Sequence, residues 1–278
     1  MTSPHARRMD TFRMNPFVDP DWRERLARKL DAPPLRPRLP LTLAQATATI
    51  GSIEPALAER LAAAGLPLVS AAAGCAIGAS QSAANVDASF ADIAQWLHAN
   101  GVVSGWRNEL LSVADGSGAV VGKIERAVVR PLGIATHAVH LIVSNARGDV
   151  WVQQRALDKS TDPGLWDTTM GGLSSAAESS AQTLERETWE EAGLRLSQFS
   201  DVRVFGHLTV RRPLAEGYMV EHIEMVQAVA AEGVAPMNQD GEVERFECLD
   251  PATLIERLHS DAFTLEAAMV LVRWLDKT

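Results

Sequence analysis

The segment that decides the fold covers residues 172–194 and reads GLSSAAESSAQTLERETWEEAGL. Its second half has the apolar spacing of an amphipathic helix, and Gly193 is the residue type that most often ends a helix. Ser175 and Glu178 have the spacing of a capping box, in which two side chains satisfy free backbone N–H groups at the start of a helix. The sequence therefore predicts a helix over residues 176–192.

Acidic residues crowd one side of this predicted helix. Glu187, Glu190 and Glu191 share a stripe, and like charges at such spacings destabilise an isolated helix by roughly a few tenths of a kcal/mol per pair. A hard divalent cation would offset the repulsion, because Mg²⁺ prefers oxygen ligands and is usually shared with substrate phosphates. Arg186 could also neutralise part of the cluster, since Glu190 lies four residues further on. The alternative is a solvated acidic helix face. The neighbouring apolar stripe, predicted to face a sheet, consists of Ala177, Ala181, Leu184, Thr188 and Ala192.

The order of residues across this segment resembles the signature of the Nudix family. It runs Gly, five residues, Glu, seven residues, Arg-Glu, an apolar position, any residue, Glu-Glu, any residue, Gly and an apolar residue. The one departure is Thr188, where the family has an aliphatic residue. The resemblance implies an α/β (α+β) Nudix fold, with a mixed sheet between helices. It also implies hydrolysis of a diphosphate linkage in a small molecule, with Mg²⁺, or alternatively Mn²⁺, as cofactor.

The resemblance gives roles to individual residues of the segment. By position, Glu187, Glu190 and Glu191 are similar to the metal ligands of the family, and the first two also count as catalytic. Arg186 resembles the catalytic-site arginine that orients them. Gly172 would let the backbone approach the metal and the phosphate. Glu178 is structural in the family, in agreement with the capping box.

Four candidates lie outside the segment. Glu242 is the candidate general base, because loop carboxylates after the last long strand often have that role in the family; the alternative is a surface turn residue. Arg155 and Lys159 are candidates for phosphate binding, and solvation at the surface is the alternative for Arg155. Trp166 could stack on a substrate ring, although an aromatic residue at the start of a strand is more often part of a core.

The flanks of the segment resemble a narrower group within the family. Residues 140–172 are similar to Nudix domains near isopentenyl-diphosphate isomerase, and closer to the Nudix domain joined to fungal thiamine pyrophosphokinase and its stand-alone relatives. Those relatives carry an N-terminal domain with a Trp-Arg-Asn-Glu motif, here residues 106–109, and an Asp-Gly-Glu-Val motif, here residues 240–243. The isomerase uses a Cys in the strand before the acidic helix, and residues 167–172 (DTTMGG) contain none.

This narrower resemblance favours thiamine diphosphate, or an oxidised form of it, as the substrate that is cut to the monophosphate. The N-terminal domain would then cover one side of the pocket and help to select an aromatic, cationic diphosphate. Its alternative role is that of a purely structural cap. A pyrophosphatase for ADP-ribose-like nucleoside diphosphates and a non-catalytic Nudix-fold binding module remain the other candidate functions.

Apolar patterns and turn signals predict the organisation of the chain. Residues 1–40 are an N-terminal arm and linker with a helix at 20–30, residues 41–130 an α+β accessory domain, and residues 131–278 the Nudix domain. Within the accessory domain, residues 41–63 have helical spacing that is interrupted at Gly51 and Pro55. Residues 70–89 are small and predict a mobile loop or a poorly packed segment. Residues 87–101 form a helix that precedes a hairpin of 108–114 and 119–124. The Nudix domain has strands at 137–145, 149–156, 164–171, 202–211, 218–230 and 244–250, and helices at 251–259 and 264–275.

Composition narrows the setting. The 278 residues carry a net charge of −9, which argues against nucleic-acid or membrane-surface partners, because polyanions require a cationic surface. The N-terminal residues lack the apolar centre of a secretory signal. Two cysteines without metal or redox spacing favour a reducing, cytoplasmic setting. A small-molecule diphosphate is the expected partner, and a homodimer is compatible with a chain of this size.

Overall fold

The computed structural model describes residues 14–44, 48–71, 74–78, 83–159 and 161–278. The elements of the first half are α1 (Pro20–Leu30), β1 (Leu39–Leu43), β2 (Thr49–Ile53), α2 (Pro55–Ala63), β3 (Leu68–Ala71), β4 (Gly74–Ile77), α3 (Ala83–Ala99), β5 (Leu110–Ala114) and β6 (Val120–Glu125). Those of the second half are β7 (Ala135–Ser144), β8 (Val150–Arg155), β9 (Trp166–Asp167), β10 (Met170–Leu173), α4 (Ser180–Ala192), β11 (Phe199–Leu214), β12 (Gly217–Ala230), β13 (Val243–Leu249), α5 (Pro251–His259) and α6 (Leu265–Leu275). In these ranges no helix combines the length and apolarity needed to cross a membrane.

A mixed sheet forms the centre of the second half. Its strand order is β11-β12-β7-β8-β13, with β10 added beside β7 and β9 beside β8. Only the central pair β12–β7 is parallel, and the other pairs are antiparallel. Parallel neighbours need a crossover connection, and the chain between β7 and β12 contains α4. The sheet thus holds the ends of β7, β8 and β10 close to this helix.

Helices cover both faces of the central sheet, because successive residues of β7 point to opposite sides. Val139, Leu141 and Val143 are buried with Leu184 of α4 on one face. Ile142 belongs to the core on the other face, where α6 and α1 pack. The predicted mixed sheet between helices is confirmed, as are helices α1, α5 and α6.

The first half has its own sheet and core. Strands β2-β1-β4-β3 form a four-stranded sheet, and β5-β6 form the predicted separate hairpin. Phe90, Ile93 and Leu97 of α3 are fully buried in a core of their own with Ile53 and Leu132. Helix α1 is not part of this core: Trp22 and Leu26 are buried against the C-terminal layer of the second half. The predicted N-terminal arm therefore contains a helix that completes the larger core.

The helix predicted from the spacing of residues 41–63 is wrong over its first part. Strands β1 and β2 pair there, with Leu41 opposite Gly51, and only α2 is helical. Short apolar runs suit either structure, and the parallel partner β4, which is distant in sequence, decides for a strand. The small residues of 70–89 form β4 and parts of β3 and α3, while residues 72–73 and 79–82 lie outside the described ranges.

Helix α4 begins later than predicted. Ser179 caps it and forms a capping box with Gln182, so the predicted box of Ser175 and Glu178 is wrong. Both sequence pairs have a workable spacing, but Ser175 lies before the helix and Glu178 bonds to Arg186. Gly193 ends the helix as predicted, with φ 64°.

The helix face that packs on the sheet also differs from the predicted stripe. Leu184, Thr188 and Ala192 are buried, but Ala177 and Ala181 are exposed because the first precedes the helix and the second lies in its open first turn. Thr188 stands in the family's aliphatic position without an unpaired hydroxyl, since its Oγ1 donates to the Leu184 carbonyl at 2.5 Å.

Candidate active site

A cleft of about 780 Å³ opens where α4 meets the loops of the central sheet. Its walls come from both halves of the chain: α4, β10 and the loops after β8 and before β13 on one side, and Arg107 and Arg126 of the first half on the other. Among the described residues, the lining includes no Phe, Tyr, Trp or Cys side chain. The cleft is therefore a charged site, suited to a polar ligand.

The three glutamates of α4 line this cleft at graded depth. Glu191 is 4% exposed and accepts hydrogen bonds from Gln153 Nε2 at 2.9 Å and from the backbone N–H of Gly171 at 3.1 Å. The side chain of Glu187 is 15% exposed, and that of Glu190 is 44% exposed. Glu191 lies on the buried face with Leu184, seven residues before it, so the acidic stripe enters the protein instead of following the surface.

Burial makes ionisation of the inner two glutamates costly. It raises the pKa of Glu191 to about 8, and the nearby charge of Glu187 adds to the effect. The pKa of Glu187 is raised to about 7, again mainly by burial, although Arg186 acts in the opposite direction. Two buried carboxylates that resist ionisation next to each other form a site that a positive charge would stabilise.

Arg186 holds this cluster together. Its guanidinium donates to both carboxylate oxygens of Glu178, with Nε at 2.7 Å and Nη2 at 2.9 Å. Its Nη1 contacts Glu187 at 2.8 Å and Glu190 at 2.9 Å. The pKa of Arg186 is raised, mainly by the hydrogen bonds to Glu178. The structure thus brings together the arginine and the acidic residues that the signature singles out, and Glu178 is the anchor of the arginine.

Gly172 packs directly against one of these carboxylates. A Cβ atom at this position would overlap the Glu187 side chain. Any other residue would have to displace Glu187 from the cleft. The predicted approach of the Gly172 backbone to a metal and a phosphate stays a prediction, and the structure shows its close contact with the glutamate of α4.

The donor atoms of the cluster suit a divalent cation. Carboxylate oxygens are the ligands that Mg²⁺ prefers, and burial disfavours the ionised forms of Glu187 and Glu191. In the described ranges, no three His, Cys, Asp or Glu side chains already form a group that could hold a metal ion. Arg186 Nη1 contacts both Glu187 and Glu190 here.

The candidate base and both candidate cations also line the cleft. Glu242 forms an ion pair with Lys159. Burial opposes ionisation of Glu242, but the hydrogen bond and charge of Lys159 outweigh it and lower the pKa of Glu242. Arg155 donates to the Thr161 carbonyl at 2.9 Å and to Asp167 at 3.3 Å, so its guanidinium is partly engaged in holding its own loop.

Trp166 lies elsewhere, and the predicted stacking on a substrate ring is wrong. The indole is buried in the core shared with α6 and does not line the cleft. The guanidinium groups of Arg257 and Arg245 lie over its ring, at 4.9 and 5.4 Å from the centroid. The cations that lie over this ring thus come from the protein itself and not from a substrate.

The sequence alone gave no role to several charged residues that line the cleft, and four of them are Arg107, Arg126, Glu221 and Glu266. Arg107 and Arg126 come from the first half, and only the Trp-Arg-Asn-Glu motif at residues 106–109 signalled the first of them. Glu221 of β12 and Glu266 of α6 lie further along the cleft, and Arg212 pairs with Glu266 at 2.9 Å. These two glutamates had no recognisable motif, because strand pairing and helix packing alone bring them together.

Glu221 allows a prediction about stability. Its carboxylate accepts a hydrogen bond from Thr136 Oγ1 at 3.1 Å, and burial, followed by the charge of Glu266, raises its pKa. A carboxyl group with a higher pKa in the folded chain than in the unfolded chain binds more protons when folded. The free energy of unfolding therefore falls as the pH rises from the unfolded pKa through the folded pKa.

The substitution Glu221→Gln keeps an acceptor for Thr136. It removes the carboxyl group whose ionisation lowers the free energy of unfolding at high pH. We expect the variant to have a higher melting temperature than the wild type at about pH 8, with the difference shrinking or reversing towards about pH 4. Calorimetric melting over this pH range measures the difference. An unchanged difference at all pH values would show that ionisation of Glu221 does not limit stability.

The fold and the site define a class of protein: a mixed sheet between helices whose central helix directs carboxylates into a charged cleft. Residues 135–269 match the family model of the NUDIX domain. The chain is 30% identical to an isopentenyl-diphosphate Delta-isomerase of Corynebacterium glutamicum over 167 residues, which cover 58% of this chain and 87% of the relative. On this evidence the chain belongs to the Nudix family.

Other relatives carry the name Nudix hydrolase. An uncharacterised Nudix hydrolase of Pseudomonas aeruginosa is 34% identical over 31% of this chain and 52% of its own length. Nudix hydrolase 20, chloroplastic, of Arabidopsis thaliana is 27% identical over 66% of this chain and 51% of its own length. A crystal structure of a Deinococcus radiodurans protein superimposes with a TM-score of 0.47 at 21% identity, over 59% of this chain and 98% of the other.

Proposed function

We propose that this protein is a Nudix hydrolase that cleaves a diphosphate linkage in a small molecule with the help of Mg²⁺ or Mn²⁺. The observation that carries the proposal is the convergence of Glu187, Glu190 and Glu191 on one cleft that also contains Lys159 and Arg155. Carboxylates are the donors for a hard cation, and basic side chains match phosphate oxygens. A cleft that offers both suits a phosphate compound that binds together with a metal ion.

Each residue of the cluster has a defined part in this reaction. Glu187, Glu190 and Glu191 would hold the ion, which when bound supplies neutralisation of phosphate charge and a bound water of lowered pKa. Gln153 and the Gly171 N–H orient the buried Glu191 carboxylate. Arg186, anchored on Glu178, sets the positions of Glu187 and Glu190.

The proton of the attacking water needs an acceptor. Glu242 is our candidate, because it lines the cleft and its lowered pKa keeps it ionised at neutral pH. Its ion pair with Lys159 limits its basicity but places it at the mouth of the site, where the same lysine can bind a phosphate oxygen.

For the substrate we propose thiamine diphosphate or an oxidised form of it, cut to the monophosphate. The motifs at residues 106–109 and 240–243 support this choice, and both of them line the cleft through Arg107 and Glu242. Recognition of the cationic ring would rest on Glu221 and Glu266, because the described lining contains no Phe, Tyr or Trp side chain for a cation–π contact. ADP-ribose-like compounds are the alternative substrates.

An isomerase is the second candidate, because the similarity to the Corynebacterium glutamicum enzyme covers most of that relative. The Cys expected for that chemistry is missing from the strand before α4. Cys75 is buried in the first half, and Cys248 is exposed on β13; within the described lining of the cleft there is no cysteine. Hydrolysis therefore fits these residues better than isomerisation.

A panel of diphosphate compounds tests the proposal. With Mg²⁺, we expect phosphate release or monophosphate formation from thiamine diphosphate or oxidised thiamine diphosphate, at a kcat/KM at least about tenfold above that for ADP-ribose and nucleoside diphosphates. A tenfold preference for the nucleotide compounds would reject the thiamine assignment and leave hydrolysis standing. Isomerisation of isopentenyl diphosphate without hydrolysis of any compound would reject the hydrolase.

A further inference from the structure

Residues 105–109 of the first half form a loop at the rim of the cleft, and packing and polar contacts hold its conformation. Trp106 packs on the core of the first half, its ring lies 5.1 Å from that of His98, and its Nε1 donates to Asn108 Oδ1 at 2.9 Å. Asn108 has a φ of 56°, in the left-handed region that Asn tolerates better than most residues. Glu109 forms an ion pair with Arg126, whose Nη1 donates to its Oε2 at 2.7 Å. The backbone around Arg107 is thus held on both sides.

A buried carboxylate fixes the backbone of Arg107 itself. Glu125 is 4% exposed, and it accepts the Arg107 N–H at 2.9 Å. The first residue after it, Arg126, donates its own N–H to the Glu109 carbonyl at 2.9 Å. The end of strand β6 therefore sets where the Arg107 side chain leaves the loop, and this side chain lines the cleft.

Arg107 differs from the other basic residues of the cleft. Each of the others has an ion-pair partner: Arg126, Arg130, Arg155, Lys159, Arg186 and Arg212. For the Arg107 guanidinium, no hydrogen bond or ion pair is found within the part of the chain that the structure describes. At longer range its charge helps to lower the pKa of Glu242 on the opposite wall. This effect is smaller than those of Lys159 and Arg126, which act in the same direction, and smaller than that of burial, which raises the pKa.

From this geometry we infer that Arg107 binds a phosphate group of the substrate and that the first half is part of the active site. The inference rests on the proposed hydrolysis of a diphosphate. A diphosphate that is held at the carboxylates of α4 also presents anionic oxygens to the opposite wall. The guanidinium fork pairs with two phosphate oxygens at once, which a solvated lysine does not match. The Trp-Arg-Asn-Glu motif then serves to present one free cation to the anion.

Direct binding of methylenediphosphonate tests this inference, because its P–C–P bridge resists hydrolysis. Calorimetric titrations with Mg²⁺ present compare the full-length wild type with Arg107→Ala and Arg107→Lys. We expect Arg107→Ala to weaken binding by about tenfold or more, the scale of losing a charge-assisted hydrogen bond. Arg107→Lys should recover only part of the loss, since it restores charge without the fork.

The matched control is Arg25→Ala. Arg25 is exposed on α1, does not line the cleft and likewise has no ion pair among the described residues. It should bind like the wild type, and melting temperatures should show all three variants folded. Binding by Arg107→Ala within twofold of the wild type, or no binding by the wild type, would overturn the inference.

Kinetics on the same preparations separate this inference from the proposed function. If the wild type hydrolyses a diphosphate and Arg107→Ala leaves both KM and the phosphonate affinity unchanged, only the role of Arg107 falls. If the wild type hydrolyses no diphosphate but binds the phosphonate through Arg107, the proposed hydrolase activity is rejected and the anion-binding role of Arg107 is supported.

Discussion

Removal of divalent metal ions is expected to reduce hydrolysis by this protein to the level of a blank without enzyme. The reason is electrostatic: Glu187, Glu190 and Glu191 share the cleft, and a diphosphate brings further negative charge to it. Burial raises the pKa values of Glu187 and Glu191, so without a cation these side chains resist ionisation and the site lacks both ionised ligands and the positive charge that a diphosphate needs. Assays with excess chelator measure the loss, and addition of Mg²⁺ or Mn²⁺ should restore the rate.

The control for this experiment is a measurement that the protein stays folded in chelator. Circular dichroism in chelator should show the same secondary structure, because the cores on both sides of the sheet are apolar and contain no metal-ligating cluster in the described residues. Full activity in excess chelator would reject the metal site, even if the protein proved to be a hydrolase.

The substitution Glu190→Gln is expected to lower turnover by about a hundredfold or more, the usual scale for losing a positioned group that stabilises charge in the transition state. Gln keeps the size of the side chain and an oxygen that can accept from Arg186 Nη1, 2.9 Å away in the wild type. It removes one negative charge from the carboxylates that would hold the ion. Steady-state kinetics at saturating Mg²⁺ measure the effect.

Glu185→Gln on the same helix is the matched control. Glu185 is exposed and does not line the cleft, so its variant should keep wild-type turnover. Both variants should melt close to the wild type, because neither carboxylate is part of the apolar core. A turnover of Glu190→Gln within tenfold of the wild type would make Glu190 a surface residue of the helix and not a ligand.

The resemblance of residues 172–194 to the Nudix signature implied the fold correctly, and the helix period of the segment with Gly193 at its end predicted the acidic helix. The terminal helices α5 and α6 and the hairpin β5–β6 could also be predicted from local patterns alone. Less regular segments failed: β1 and β2 have spacing that also suits a helix, and their partner strand decides the outcome.

Spacing predicted only some polar contacts at the site: that of Arg186 with Glu190, four residues further on, is confirmed. At the start of α4 two capping boxes have a workable spacing, and spacing alone shows neither which one forms nor that Glu178 bonds to Arg186, eight residues away. Trp166 precedes α4 closely enough to suggest a substrate contact, but the strand direction turns it into the core. A local pattern specifies which residue types are present, whereas their partners depend on the approach of distant segments.

The sequence by itself determined the acidic stripe: the 3.6-residue period of a single helix places Glu187, Glu190, Glu191 and Arg186 together, and no other part of the chain has to supply it. Only the tertiary structure decided how deep each carboxylate lies, because burial depends on the strands beneath the helix. It also decided that Arg107, 73 residues before the first residue of this helix, Ser180, lines the same cleft. That distance in sequence is closed by the packing of two sheets, for which a single sequence carries no local signal.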